Sequence, residues 1–392
     1  MQNNPVIVDI ARSPMGRGKP GCVLSEVHPA DLLRQVMVRV VERNRLDPGL
    51  VDDIIMGCVS QAGEQAVPTG RTAWLGAGYP VHVPCTMVER RCGSSQQAVH
   101  FAAQGIAAGA YDIVLAGGIE SMSRVPMGSA RMGKDPHGVA YEERFPGTVG
   151  QGISAELIAA RWGISREEMD IYSARSHQLA EQARQDGLLA KEIIAIETPG
   201  GLVTQDETIR AGTTAEGLAQ LKTSFNNDEI AARFPEINWS ITAGNSSQIT
   251  DGASVALVMS EAAANRLGLT PRARFVAFDV IGDDPLLMLT APIPATQRVL
   301  KKAGLDIGQM DHIEVNEAFA PVPLAWLRDI KADPARLNPR GGAIALGHPL
   351  GASGTRLMAS MLHGLEETGG RYGLQTMCEA GGLANATIIE RI

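Results

Sequence analysis

Cysteine, aromatic residues and long apolar runs are all scarce in this 392-residue chain. Its five cysteines, Cys22, Cys58, Cys85, Cys92 and Cys378, are dispersed, odd in number and without Cys-x-x-Cys spacing. That pattern argues against a disulfide framework or a zinc site and predicts reduced thiols. Aromatics are only 4% of the residues, so Ala, Val, Ile, Leu and Met must fill the cores. Such cores suit tightly packed α/β layers better than an aromatic-rich β-sandwich. No run of about 18 apolar residues occurs, which predicts no membrane span. Positive charge is short too: 35 Lys and Arg against 43 Asp and Glu leave a net charge of −8. With no basic stripe to neutralise phosphates, nucleic acid is not the expected partner. The opening "MQNNPVIVDIARSPMG" lacks a basic segment leading into an apolar one, so no secretory signal is expected. The closing "ATIIERI" is not a Ser-Lys-Leu address. A cytoplasmic enzyme is the expected class.

What the chain has in quantity is glycine, 43 residues, set among short apolar runs and helical segments. "PVIVDIA", "VDDIIMGCV" and "YDIVLAGGIESM" read as strands, the last ending in a turn. "HPADLLRQVMVRVVERN" and "CGSSQQAVHFAAQGIAAGA" read as helices. The βαβαβ rhythm predicts a mostly parallel sheet with helices on its faces. The rhythm returns late in the chain. "RLDPGLVDDIIMGCV" (45–59) matches "GLDIGQMDHIEVNEA" (304–318), with Leu46 over Leu305 and Asp52 over Asp311, an offset of 259. "DIVLAGGIESM" (112–122) and "QTMCEAGGLANAT" (375–387) form a second echo, each read as a strand running into a Gly-Gly turn. Two echoes in the same order predict a duplicated fold with a cleft between the halves. Residues 119–249, rich in loops and charged helices, read as an insertion on the first half, either a plain structural one or a lid over a substrate.

Four residues at strand-to-loop junctions stand out. Cys92, before a helix of small residues, is either one more buried sulfur or a nucleophile; the helix N-terminus, Arg90 and Arg91 would favour its thiolate. His348, flanked by glycine in "GGAIALGHPLGASGTR", is a candidate general base. Asn316, in "VNEAFA", is a neutral donor suited to fixing a water or a carbonyl oxygen. Cys378, in "TMCEAGGLANA", is a second thiol. Together they suit acyl transfer joined to carbon-acid chemistry, one thiol carrying an acyl group and the other moving a proton α to a thioester.

These blocks resemble the thiolase family, the acetyl-CoA acyltransferases, over essentially the whole chain. The likeness rests on "CGSS", "AGGIESMS", "TAGNSSQITDGA", "NEAFA", "GGAIALGHPLGASG" and "MCEAGG", in the family's order. The resemblance implies an α/β fold of two duplicated βαβαβαββ halves, layered α/β/α/β/α, with an inserted loop domain. On this chain the halves would be 1–118, completed by about 250–268, and 269–392, with 119–249 as the CoA-binding lid. It implies that Cys92 is the acylated nucleophile, activated by His348, and that Cys378 exchanges the proton of acetyl-CoA. Asn316 would hold a water that forms one oxyanion site with His348, and the N–H groups of Cys92 and Ala380 would form another. Ser247 would contact the pantetheine arm, with Arg210 and Phe225 at the adenine end. Ala318 and Phe319 would wall the acyl group, and Met288 would belong to the same binding region. CoA enters as a substrate; no metal or redox cofactor is implied. Family members form homodimers or homotetramers.

The sequence departs from the pattern in three places. Ala380 replaces a glycine and would be strained if its φ were positive. Leu289 and Ala291 stand where many members have glycine, and Gln151 where methionine is common, which predicts a reshaped acyl pocket. Three readings follow: 3-ketoacyl-CoA thiolysis, synthesis by a short-chain acetoacetyl-CoA enzyme, and a silent acyl-CoA-binding scaffold with Ala380 as its lesion. Decarboxylating ketoacyl synthases share the fold but use one catalytic cysteine, so Cys378 argues against them.

Overall fold

The structure, a computed structural model, describes residues 3–392. Its first half runs β1 (Pro5–Arg12), β2 (Gly16–Arg17), α1 (Pro29–Arg43), β3 (Asp53–Gly57), α2 (Thr69–Gly76), β4 (Cys85–Val88), α3 (Ser94–Ala107) and β5 (Ile113–Ser121). The chain then leaves through α4 (Val139–Arg144), α5 (Gln151–Trp162), α6 (Arg166–Gln185), the hairpin of β6 (Ile196–Thr198) and β7 (Gly201–Val203), α7 (Ala215–Ala219) and α8 (Asp228–Arg233). It returns as β8 (Thr250–Ser260) and α9 (Glu261–Arg266). The second half is β9 (Ala273–Gly282), α10 (Pro292–Ala303), β10 (Met310–Val315), α11 (Pro321–Ile330), α12 (Ala343–Leu346), α13 (Ser353–Thr368), β11 (Tyr372–Glu379) and β12 (Leu383–Arg391).

Helix α1 shows how local sequence sets these elements. Pro29 opens it, the His28 ring accepts the Ala30 N–H, and Arg43 sits in the last turn near the negative end of the dipole. Leu32, Leu33, Val36, Met37, Val40 and Val41 recur at helical spacing and are all buried.

The strands run β4-β3-β5-β8-β1 in the first half and β9-β12-β11-β10 in the second. A short antiparallel contact, Val6 with Arg274 and Ile7 with Ala273, joins the two sheets. Parallel pairing is confined to β3–β4, β3–β5 and β10–β11. The expected mostly parallel sheet is therefore mixed. β8 comes back from the long excursion to pair antiparallel with both β5 and β1, and β12 does the same with β11 and β9.

Five layers result. Leu32, Val36 and Val40 of α1 pack on Leu115 and Leu257 on one outer face. Val299 of α10 and Trp326 of α11 pack on Ile313 and Ile388 on the other. Between the sheets lie α3 and α13, where Ala98, Val99 and Ile106 meet Met358, Met361 and Leu362. Residues Ser353 to Leu365 of α13 are all buried, as a central helix requires.

The duplication is real at atomic detail. Asp52 Oδ2 accepts the N–H groups of Asp112 (2.6 Å) and Ile113 (2.9 Å), where β5 begins. Asp311 Oδ2 accepts those of Arg371 (2.7 Å) and Tyr372 (3.2 Å), where β11 begins. Helices α3 and α13 start at Ser94 and Ser353, again 259 residues apart. The second sequence echo needs correction. Gly117 and Gly118 lie inside β5, whereas Gly381 (φ 92°) and Gly382 (φ 76°) form the turn after β11. At Gly118 a Cβ would stand 2.0 Å from the Gly351 carbonyl oxygen, so glycine there lets β5 touch the loop that leads into α13. Gly118→Ala is expected to cost about 3 kcal/mol through overpacking. Urea unfolding reads this as a lower midpoint; an unchanged midpoint refutes the close contact.

The excursion, expected to ride on the first half, also packs on the second. Trp162 Nε1 donates to Asp329 (3.0 Å), Arg328 to Glu168 (2.6 Å) and the Tyr172 hydroxyl to Glu317 (2.9 Å). No helix among the described residues is long and apolar enough to cross a membrane.

Candidate active site

A cavity of about 710 Å³ opens where strand ends from both halves meet the excursion. Cys92 stands in its wall, at the tight turn between β4 and α3. Arg91 has a left-handed φ of 47°, and Ser94 Oγ accepts the Arg90 N–H (2.9 Å) while donating to the Arg91 carbonyl (2.6 Å). The turn aims a sulfur that is only 3% exposed.

The expected depressed thiol does not occur at Cys92. Burial, the largest cause, pushes its pKa well above the usual cysteine value, and a negative charge on Cys378 or Glu379 would raise it further. The N–H groups of Cys92 and Ala380 pull the other way and lose. Arg91 lies 3.6 Å from Glu89. The helix terminus is present, but loss of water outweighs it, so the resting sulfur is a thiol that needs a base.

His348 lines the same cavity as Cys92. Its backbone N–H donates to the Gln248 carbonyl (3.2 Å) and to Thr250 Oγ1 (3.0 Å). Ser353 Oγ donates to the Pro349 carbonyl (2.8 Å) and lies 2.6 Å from His348 Nδ1. The hydroxyl therefore accepts from Nδ1–H, which leaves Nε2 unprotonated with its lone pair as an acceptor. Burial first, then Arg356, pushes this imidazole down to about 3, so it is neutral at ordinary pH. Gly347 (φ 88°) carries the turn; a Cβ there would meet Thr250 Oγ1 at 2.3 Å.

Asn316 follows β10 and links base to second thiol. Its Nδ2 lies 3.4 Å from His348 Nε2 and 3.6 Å from Cys378 Sγ. Its Oδ1 is buried without a partner. Cys378, fully buried near the end of β11, donates to the Asn316 carbonyl (3.7 Å). Burial lifts this thiol to about 11, against the Asn316 side chain and the Ala318 N–H, which both favour the thiolate. Cys378 does not itself line the cavity; it reaches the site through Asn316 and through its influence on Cys92.

Of the other expected residues, Ser247, Phe225, Ala318, Phe319, Met288, Ala380 and Gln151 all line the cavity. Phe225 and Phe319 meet edge to face, with centroids 6.1 Å apart. Ala380 is absent from the residues with positive φ; Gly381 and Gly382 take the left-handed conformations, so alanine is unstrained there. Three of the singled-out residues lie outside the cavity lining. Arg210 is exposed and outside the cavity, where its N–H donates to His177 Nδ1 (3.2 Å). Leu289 and Ala291 are buried in the second-half core behind Met288, so they do not touch the cavity.

Sequence reasoning missed Ser353, which fixes the His348 tautomer, although it stands five residues on in "GHPLGAS". It also missed Glu317, which accepts from Tyr172, Ser176, Asn338 and the Ile344 N–H and ties the "NEAFA" loop to α6 and α12. Nothing in a single sequence marks that partner set.

Comparison with known proteins agrees with this geometry. The family model for the thiolase N-terminal domain matches residues 5–262, and that for the thiolase C-terminal domain matches residues 269–391. Steroid 3-ketoacyl-CoA thiolase FadA6 of Mycobacterium tuberculosis is 45% identical, over 98% of this chain and 94% of that one. A 3-ketoacyl-CoA thiolase of Pseudoalteromonas translucida is 43% identical, over 100% of this chain and 99% of its own. The crystal structure of the Bacillus anthracis acetyl-CoA acetyltransferase superposes with a TM-score of 0.88 at 35% identity, covering 100% of this chain and 99% of that one. The chain belongs to the thiolase family of acyltransferases.

Proposed function

We propose that this enzyme cleaves 3-ketoacyl-CoA with a second CoA, through an acyl group carried on Cys92. One observation supports this above all: the unprotonated Nε2 of His348, the Asn316 amide and the Cys378 thiol form a connected set beside the cavity that Cys92 lines. In this reading His348 Nε2 takes the Cys92 proton and the sulfur adds to the 3-keto carbon. The bond between C2 and C3 breaks, its electrons go to C2, and Cys378 gives that carbon a proton, releasing acetyl-CoA. The thiol of the second CoA then passes its proton to the Cys378 thiolate and displaces the acyl group from Cys92, whose departing sulfur takes back the proton held on His348. Asn316, with its unpartnered Oδ1, would hold a water that forms one oxyanion site with His348; the N–H groups of Cys92 and Ala380 would form another. Ser247, Phe225 and Met288 would grip CoA, and Ala318 and Phe319 would bound the acyl group. Unstrained backbone at Ala380 removes the lesion on which a silent scaffold depended.

The acyl group is read as larger than acetyl. The relative that is 45% identical is named for a steroid substrate, and the cavity walls offer Ala318, Phe319 and Leu350 to an apolar body. Residues 119–249 would act as the CoA lid between halves 1–118, completed by about 250–268, and 269–392; Met122, Tyr141, Gln151, Phe225 and Ser247 of that stretch line the cavity. Five unpaired thiols suit a reducing cytoplasm, and a homodimer or homotetramer is part of the same reading.

The test compares acetoacetyl-CoA with a long straight-chain and a ring-bearing 3-ketoacyl-CoA, following acetyl-CoA release and the mass of the peptide containing Cys92. Acyl mass on that peptide is expected, with kcat/KM for the larger substrates at least about tenfold above acetoacetyl-CoA. No acylated peptide with any of the three refutes the mechanism; preference for acetoacetyl-CoA refutes the substrate size alone.

A further inference from the structure

The pseudo-symmetry of the two halves exposes a carboxyl group that the mechanism above does not use. Glu120 and Glu379 occupy matching places near the ends of β5 and β11, 259 residues apart. Each is completely buried, and each reaches across to the turn that leads into the other half's central helix. Glu120 is surrounded by donors. Its Oε2 accepts the N–H groups of Val59 (2.9 Å) and Gly351 (2.9 Å), and its Oε1 those of Ser60 (3.0 Å) and the Gln65 amide (3.2 Å). Glu379 has one donor, the Asn385 N–H on Oε1 (3.1 Å), while Oε2 is buried with no partner.

The position of Glu379 makes that shortage matter. Its carboxyl lies against Gly93, the residue after Cys92, so closely that a Cβ on Gly93 would fall 1.7 Å from Oε1. Cys378 precedes it on the same strand, and Ala380, whose N–H serves the Cys92 sulfur, follows it. A buried carboxylate needs several donors, as Glu120 has; a carboxylic acid needs fewer. We propose that Glu379 is a positioning residue for acyl transfer, held as a neutral carboxylic acid against Gly93 so that it braces the nucleophile turn without adding a negative charge beside Cys92.

Burial lifts the Glu379 carboxyl well above the usual carboxylate range, and Arg90 and the Asn385 N–H oppose this without prevailing. Of the charged and titratable groups around it, Arg90 favours its ionised form and Glu89 opposes it, both from the segment before α3. Cys92 and Cys378 would each compete with it for negative charge. His100 of α3, linked through Asn385, is pushed down to about 3 by burial and brings no compensating cation. When pH rises far enough, the carboxyl proton leaves to solvent, and the carboxylate then opposes the Cys92 thiolate.

This inference rests on Cys92 as the nucleophile, so its test reads the carboxyl and the thiol without turnover. The infrared difference between the wild-type protein and Glu379→Gln at neutral pH is expected to contain the C=O band of a protonated acid. Iodoacetamide alkylation of Cys92, followed by peptide mass, is expected to match in the two proteins at neutral pH. At alkaline pH the variant should become about 3- to 10-fold faster. A difference spectrum holding only an ionised carboxylate overturns the proposal, and so do alkylation profiles that superimpose over the whole stable range. Glu379→Met gives the same comparison should the glutamine variant fail to fold. An absent acyl-Cys92 during turnover, by contrast, sinks the catalytic assignment and leaves both of these measurements intact.

Discussion

Cys92→Ala is expected to lower thiolysis by about ten-thousand-fold or more, because the acyl group loses its carrier and no other sulfur can take over. The remaining sulfurs on the cavity wall are the thioethers of Met122, Met127 and Met288, which cannot form a thioester. Cys378 is a thiol but is fully buried and does not line the cavity. The substitution removes one atom from a wall, so the fold should survive: circular dichroism unchanged and stability within about 1 kcal/mol. Peptide mass after incubation with substrate is the deciding measurement. Acyl mass on the Cys378 peptide of the variant would reverse the assignment of the two cysteines. The resting Cys92 thiol strengthens the expectation. Since burial keeps the proton on sulfur and leaves His348 neutral, the proposed mechanism requires both residues together for acylation.

Much of this was legible in one sequence, and the reasons are local. Strands such as β1 and β3 are short, mostly apolar runs buried along almost their whole length, and α1 carries its own stop and start residues. The repeat was visible because Asp52 and Asp311 do the same task, capping the first N–H groups of a neighbouring strand. Cys92, His348, Asn316 and Cys378 could be read because each sits at a strand or loop end marked by glycine or a polar break. What failed depends on distance in space. Parallel against antiparallel pairing was decided by where β8 and β12 return, which no local pattern encodes. Gly117 and Gly118 looked like a turn because a glycine pair usually is one, yet a crowded layer interface uses them within a strand. Leu289 and Ala291 lie in the second-half core, while Met288, with its left-handed backbone (φ 31°), faces the cavity, a distinction that spacing alone does not make. The sign of the Cys92 shift turned on burial, a property of the assembled core rather than of the helix terminus alone.

Cys378→Ser is expected to separate the two chemistries that share this site. Cleavage of 3-ketoacyl-CoA should fall about a thousandfold, the size of a lost proton-transfer group, while acyl transfer from a saturated acyl-CoA to Cys92 continues. The reasoning starts from the Cys378 thiol, which burial holds near 11 and therefore protonated at neutral pH. That is the state required to give a proton to the carbon released when C2 and C3 part. Once the proton has gone, the Asn316 amide and the Ala318 N–H stabilise the thiolate that is left. Serine keeps the volume and a donor, but its hydroxyl is a far weaker acid, so the carbon would wait for a proton that arrives slowly. Acylation of Cys92 by a saturated thioester breaks no carbon–carbon bond and makes no such demand. Deuterium exchange at the methyl of acetyl-CoA is the sharpest readout: the wild-type protein should catalyse it and the variant should not. Equal losses in acylation and in exchange would mean that Cys378 shapes the site without handling the proton.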